Sequence, residues 1–306
     1  LFAKGVLLMF NSTSNPSLPD RTTLIAFAIF TVVSGGASVA IRFTYAELPP
    51  FWGGVMRFVF GAVFFWAVVL LRKMELPKGR ALTGAILFGV FSMGLPFLFI
   101  YWGLVKTPAS LYQTIMALVP LLTIFFAFFH RLEPFRPRGL FGAMLTVVGI
   151  VIAVGGASGR DLSIPHVLAI IGGAACFAEA GIIAKSFPRN NPYVTNAVAM
   201  PVGALILFIG SVISGEKIVI PSQSLTWISF GYIVIFVTII AFLLYLFVLQ
   251  HWTASGTSYS FVLIPLVTVV LASWLAKEQI TLQFLLGGAL VLLGVWIGAL
   301  MPSNPK

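Results

Sequence analysis

An internal repeat, aligned without a gap, constrains this chain more than any other feature. Placing Ala109-Ser110 on Ala254-Ser255 brings Pro120 onto Pro265, Leu121 onto Leu266, Thr123 onto Thr268 and Glu133 onto Glu278. The same register carries Gly142 onto Gly287 and Gly149 onto Gly294. Both prolines lie inside long apolar runs. A proline there removes a helix donor and clashes with the preceding turn, so its recurrence at one offset points to duplication. The chain is expected to consist of two similar halves built from apolar helices.

Composition places those halves in a bilayer. Hydrophobic residues make up 59% of the chain and charged residues 8%, against about 25% charged in soluble domains. Mean hydropathy is +1.07. A spanning helix needs about 20 mostly apolar residues. Ten runs meet that description: Thr22–Arg42, Pro50–Leu71, Ala81–Val105, Ala109–Phe129, Arg138–Gly155, Ile164–Lys185, Tyr193–Ser214, Leu225–Leu249, Ala254–Ala276 and Thr281–Leu300. They are too long and continuous for the alternating strands of a membrane barrel. The expected fold is therefore an all-α polytopic membrane protein of ten transmembrane helices. Its linkers, such as Glu47-Leu48-Pro49-Pro50 and Pro188-Arg189-Asn190-Asn191-Pro192, carry turn chemistry and leave no room for a soluble domain. Residues 1–21 read as an N-terminal tail, 22–157 as the first five-helix repeat, 158–301 as the second and 302–306 as a C-terminal tail. Within the first tail, residues 1–8 precede Met9 and are read as a vector-derived leader rather than a signal peptide.

The net charge of +10 implies no nucleic-acid partner, because the basic residues sit in short loops between apolar runs. Alternate loops give one side Lys4, Arg21, Arg72, Lys73, Lys78, Arg80, Arg131, Arg136, Arg138, Lys185, Arg189 and Lys306. The other side receives Arg42, Lys106, Arg160, Lys217 and Lys277. The richer side is expected to be cytoplasmic, with both termini inside. Five spans per repeat is an odd number, so the second copy must enter the membrane upside down. Inverted repeats of this kind are a known architecture for alternating access.

At this point the motifs resemble a known family. Two five-helix halves, a proline in spans 4 and 9 with Glu133 and Glu278 after them, and the Gly142/Gly149 and Gly287/Gly294 pairs in spans 5 and 10 are similar to EamA-type members of the drug/metabolite transporter superfamily. Arg57 in span 2 also matches a residue often seen there. Within the superfamily the whole chain resembles bacterial amino-acid exporters, including aromatic amino-acid exporters. The resemblance implies a secondary carrier that exports small metabolites, with spans 1–4 and 6–9 around a central cavity and spans 5 and 10 as scaffold.

Pro120 and Pro265 are the hinge or gate candidates. They are expected to free carbonyls near Met116 and Phe261, which only protein or a wet cavity can satisfy; a static kink is the competing reading. Just before them lie Tyr112, Gln113 and Thr114 in span 4 and Ser258, Tyr259 and Ser260 in span 9. Tyr101, Trp102 and Tyr245 sit near span ends, where a cavity wall and an interfacial belt are equally consistent. Ser34, Gly35, Gly36 and Ser38 form a small-residue face in span 1 that allows close helix packing or room for substrate. Glu179 is the acidic residue well inside a span, so it should face the bundle interior or water. It is read as either a proton or amine site or a structural hydrogen-bond partner. Arg57 is read as either the partner of a substrate carboxylate or a structural cation that bonds backbone carbonyls and holds the helix, close enough to the span start to snorkel outward. Gly294 and Gly298 form a GxxxG pattern, read as internal packing of spans 5 and 10.

His130, His166 and His251 lie at span ends, and Cys176 stands alone in an apolar run. No metal-ligand spacing, catalytic set or phosphate loop stands out, so no metal, cofactor or enzymatic activity is expected. The leading expectation is a monomeric exporter of amino acids or related small metabolites in the inner membrane, with the lipid bilayer and a small molecule as its partners. The alternative is a multidrug or cationic-amphiphile exporter. A channel would call for charged or carbonyl-lined filters, and a sugar-phosphate carrier for several interior cations.

Overall fold

A computed structural model describes residues 19–106, 112, 115–154, 163–276 and 282–301. The described chain is helical and contains no strand among those residues. Ten rods follow the ten apolar runs. α1 comprises Arg21–Gly35 and Ala37–Thr44, α2 is Pro50–Leu71 and α3 is Arg80–Leu104. α4 is Val119–Phe129, α5 is Pro137–Val154 and α6 is Ile164–Ser186. α7 is Pro192–Ile213 and α8 is Ser224–His251. α9 comprises Ala254–Ser258 and Ser260–Ala276, and α10 comprises Leu282–Val295 and Trp296–Leu300. α2, α3, α6, α7 and α8 are long and apolar enough to cross a membrane as described, and the other rods include shorter apolar helices. Large apolar side chains such as Leu71, Leu168, Ile213, Ile228 and Leu282 are exposed, as lipid-facing surfaces require.

Local chemistry starts the rods where the sequence places them. Pro50 and Pro192 occupy the first turns of α2 and α7, where proline loses no helix bond. Asp20 caps α1 by accepting from Thr23 N at 3.0 Å, and Asn191 caps α7 by accepting from Tyr193 N at 3.0 Å.

The rods pair in a two-fold pattern. α2 packs on α7, α5 on α10 and α4 on α9. The remaining large interfaces come as mates: α1–α8 with α3–α6, α1–α9 with α4–α6, and α2–α8 with α3–α7. Exchanging the repeats reproduces each of these pairings, and each joins one repeat to the other. The α5–α10 crossing shows the inversion directly. An ideal Cβ on Gly142 would lie 2.6 Å from Gly294 O and Gly298 N, while one on Gly149 would lie 2.8 Å from Gly287 O and Val291 N. Gly142 is the repeat mate of Gly287 and Gly149 of Gly294, so the two contacts are images of each other in an antiparallel pair. Gly294 and Gly298 thus serve internal packing.

Carboxylates then tie helix starts across the repeats. Glu47, after α1, accepts from Ser222 N (3.0 Å), Ser222 Oγ (2.6 Å) and Gln223 N (3.0 Å) at the start of α8. Glu216, after α7, accepts from Phe51 N (3.1 Å) and Trp52 N (2.7 Å) in the first turn of α2. At the other end Glu133, after α4, accepts from Ala254 N (2.8 Å) and Ser255 N (3.2 Å) at the start of α9. Each carboxylate satisfies orphan N–H groups and meets the positive end of a helix dipole. Glu278, the mate of Glu133, lies outside the described residues.

Two expectations need correction. Pro120 is not interior to a continuous helix: Ala117-Leu118 form a turn, and Pro120 sits in the first turn of α4. Pro265 does lie inside a helix, but the interruption of α9 is at Tyr259, between its two segments. In both cases the break falls N-terminal to the proline, because the chain leaves the helix before the residue that cannot accept the next turn. Span 1 likewise is not one rod, since it breaks at Gly36.

Two outcomes follow. Gly142→Val should cost about 1–3 kcal/mol by overpacking, read as a lowered unfolding temperature in detergent, whereas Gly231→Ala, with nothing within 4 Å, should not lower it. The hydrogen bond from Ser222 and those that accompany it hold the Glu47 carboxyl at about 2, below its ordinary 4.5. A depressed folded value means that the Glu47 contribution is complete above about 4.5 and fades as pH falls towards about 2. Unfolding followed across that window should show a shallower pH slope for Glu47→Gln than for the parent; equal slopes would refute the clasp.

Candidate functional site

The site lies where regular helix geometry fails. At the break in α1, Tyr232 Oη of α8 donates to Val33 O at 3.0 Å, and Thr268 Oγ1 of α9 donates to Gly35 O at 2.8 Å. Gly36 is required there, because a Cβ would sit 2.3 Å from Tyr232 Oη. α3 widens into a π-helical stretch at Val90–Gly94, and its repeat mate α8 does so at Ile233–Ile240. Such stretches loosen the helix ladder and recur at functional sites.

Around these irregularities is a cavity of about 480 Å³, within the roughly 300–1,000 Å³ of small-molecule sites. Its wall draws on both repeats: Phe30, Ser34, Ala37, Ile41 and Tyr45 from the first rod and its end, Arg57 from α2, Ser92, Phe97, Ile100, Tyr101 and Leu104 from α3, and Tyr112 and Met116 before α4. Phe177 of α6, Val237, Ala241, Phe242 and Tyr245 of α8, and Phe261 and Ile264 of α9 complete it. Met116 and Phe261, the residues whose carbonyls the prolines were expected to free, both line it.

Among the described wall residues only Tyr45 is exposed, so the described cavity is one-sided. Tyr45, 41% exposed, marks the end near the Glu47 clasp. Towards the Glu133 end aromatic rings crowd together: Phe30 lies 5.5 Å and Phe88 6.3 Å from Tyr245, and Phe177 lies 5.1 Å from Phe261 between centroids. Beyond them Phe88, Ile183, Leu246 and Leu249 are buried in the core. A small void of about 30 Å³ lies there between α3, α6 and α8.

Arg57 is the charged residue of the described wall. It is 4% exposed, so it does not snorkel. Its Nε donates to Thr238 Oγ1 at 2.6 Å, and Thr238 in turn donates to Ile233 O at 2.9 Å within the π stretch of α8. The guanidinium carbon lies 5.1 Å from the Phe58 ring centre and 5.0 Å from that of Phe97, in cation–π range. Among the described residues no carboxylate is within ion-pair distance of it.

The structure brings some of the sequence candidates together and separates others. Ser34, Arg57, Tyr101, Tyr112 and Tyr245 share the cavity wall. Glu179 does not: it pairs with His130 Nε2 at 3.4 Å at the Glu133 end, with its side chain 22% exposed. Trp102 is 44% exposed and stacks on His166 at 4.3 Å, as an interfacial residue would. Ser258 donates to Ser255 O, and Tyr259 is buried against α5, donating to Gly139 O at 3.1 Å. Gln113, Thr114 and the Ser38 side chain lie outside the described residues. Sequence reasoning missed Tyr45, Phe30, Phe97, Phe177 and Phe242, because 29 phenylalanines in apolar runs give no sign of which face a cavity. It also missed Thr238, whose role depends on Arg57 from a helix far away in sequence.

A sequence model of the EamA-like transporter family matches residues 21–155 and again residues 164–299. The chain is similar to YedA of Escherichia coli K12, termed an uncharacterized inner membrane transporter, with 27% identity over 293 residues that cover 91% of this chain and 92% of the relative. It is also similar to the uncharacterized transporter YyaM of Bacillus subtilis 168, with 24% identity over 295 residues covering 92% and 94%. A crystal structure titled only as that of a protein superposes with a TM-score of 0.77 at 19% identity, covering 92% of this chain and 97% of the other; that likeness is one of fold.

The wall assignment has a direct check. With Cys176 replaced by Ser, Ser34→Cys and Tyr45→Cys should react with a water-soluble maleimide in detergent micelles. Ser258→Cys should react at least about tenfold more slowly, since its site is buried and hydrogen-bonded.

Proposed function

The chain belongs to the EamA-like transporter family, and from that premise we propose that it is a secondary exporter of amino acids or related small metabolites, working by alternating access around the cavity. The observation that carries this reading is the one-sided cavity of about 480 Å³ whose wall is drawn from both repeats. A space open towards one end and packed shut at the other is the resting geometry that alternation requires. Its wall of aromatic faces, a few hydroxyls and one cation suits small amphiphilic organic molecules.

The loop charges orient the carrier with both termini in the cytoplasm, so the Glu47 end faces outward and the Glu133 end inward. In this reading the protein is a monomer in the cell (inner) membrane, and the structure is outward-facing. Moving to the inward-facing state requires the Phe30–Tyr245–Phe88 and Phe177–Phe261 contacts to part and the Glu133 clasp on α9 to release. The breaks in α1, α4 and α9 and the π stretches in α3 and α8 are where bending is cheapest. Since the large interfaces join one repeat to the other, helix bending fits better than the rocking of two separate halves. Export of cationic amphiphiles is less well supported, because the described wall carries a guanidinium and no carboxylate.

Counterflow tests this reading. Protein in liposomes preloaded with a neutral amino acid should accumulate the labelled amino acid from outside and exchange it one for one, as a channel does not. Absence of counterflow across a broad panel of amino acids and their derivatives would refute the substrate class.

A further inference from the structure

This inference rests on reading the cavity as a substrate site, and it concerns which part of a substrate that site recognises. A guanidinium buried in a membrane-spanning bundle is costly unless something neutralises it. Thr238 takes one of its donors, the Tyr101 hydroxyl is a further hydrogen-bond partner and the rings of Phe58 and Phe97 lie within cation–π range, but Thr238 and the rings carry no negative charge and a neutral phenol supplies none. The guanidinium belongs to the cavity wall, so the missing charge can come from a ligand. A planar fork of N–H donors matches a carboxylate bidentately.

The neighbouring rings say what such a carboxylate should be attached to. Phe97 lies 5.0 Å from the Arg57 charge and 5.8 Å from Phe177, which lies 5.1 Å from Phe261. A line of aromatic rings therefore leads from the cation across the cavity, so an arene a few carbons from the carboxylate would lie among them. The wall offers nothing comparable to an ammonium group. It has no acidic side chain among its described residues, and Glu179 is engaged with His130 away from the wall.

We infer that Arg57 anchors the carboxylate of the substrate and that the site accepts arene-bearing monocarboxylates whether or not they carry an amine. Thr238 is a positioning residue: it fixes the guanidinium through Nε, with the Tyr101 hydroxyl as a second partner, and the remaining donors of the fork are left for the ligand.

The test is binding to the full chain in detergent by calorimetry, with 3-phenylpropionate, phenylalanine and phenethylamine as probes. The acid and the amino acid should bind with affinities within roughly threefold of each other, and the amine at least about tenfold more weakly. Arg57→Gln should weaken both carboxylates by about tenfold or more without strengthening the amine, and Arg57→Lys should recover part of the loss. The anchor is overturned if phenethylamine binds as tightly as 3-phenylpropionate, if 3-phenylpropionate fails to bind, or if Arg57→Gln binds it like the parent. The probe comparison in the parent decides the question even where Arg57→Gln does not fold. Carboxylate-dependent binding without counterflow would sink the carrier reading and leave the anchor standing. Counterflow with amines and acids handled alike would do the reverse.

Discussion

Every backbone polar group inside a bilayer must find a partner within the protein, and this structure is organised by where that demand is hardest to meet. A straight helix satisfies it alone. The break at Gly36 cannot, and it persists because Tyr232 and Thr268 arrive from two helices of the other repeat to take Val33 O and Gly35 O. The hydroxyl of Thr238 likewise serves a carbonyl of the π stretch in α8 while holding Arg57. The irregular backbone near the cavity is thus secured by side chains of α8 and α9, helices that also supply wall residues. In the proposed cycle, opening or closing the cavity would move the same helices that satisfy this backbone.

The same economy governs the helix ends. Glu47, Glu216 and Glu133 each leave their own helix pair and settle on the exposed N–H groups of a helix in the opposite repeat. A carboxylate at a helix start gains both hydrogen bonds and a favourable dipole interaction. Two of these clasps sit at the end where the cavity reaches the surface and one sits at the end where it is closed. The outer pair ties α1–α2 and α7–α8 into one frame. The Glu133 clasp holds the start of α9 against the end of α4, beside the rings that seal the cavity, and is the polar contact most directly strained if that seal opens.

Much of the fold was legible because its signals are periodic or repeated. Apolar runs of spanning length marked the helices, and paired glycines marked the α5–α10 crossing where backbones touch. The positions of the helix breaks were less legible. Proline announced an irregularity but not its place, since the chain departs from the helix several residues earlier, at Ala117-Leu118 and at Tyr259. The cavity was legible only through its polar members. Ser34, Arg57, Tyr112 and Tyr245 were conspicuous against an apolar background, while Phe97 and Phe177 read the same as phenylalanines that face lipid. Glu179 was conspicuous too, yet a partner on α4, His130, draws it away from the wall. Such cross-helix pairings are set by tertiary packing, not by a local pattern.

The scaffold is symmetric, but its chemistry is not. Aligning the starting prolines of α2 and α7 places Ala199 where the first repeat has Arg57, and Ala199 is buried with its backbone where a Cβ on Gly89 would stand. A long cationic side chain at that buried, closely packed position would carry a large desolvation cost. One repeat therefore keeps the charge and the other keeps close packing. If Arg57 is the anchor we infer, the consequence reaches the proposed transport cycle: the ligand would be held by a guanidinium that only one repeat supplies, the same one whichever end is open. In that proposed cycle the anchor on α2 would be common to both states, and the rings and helix breaks around it would do the moving.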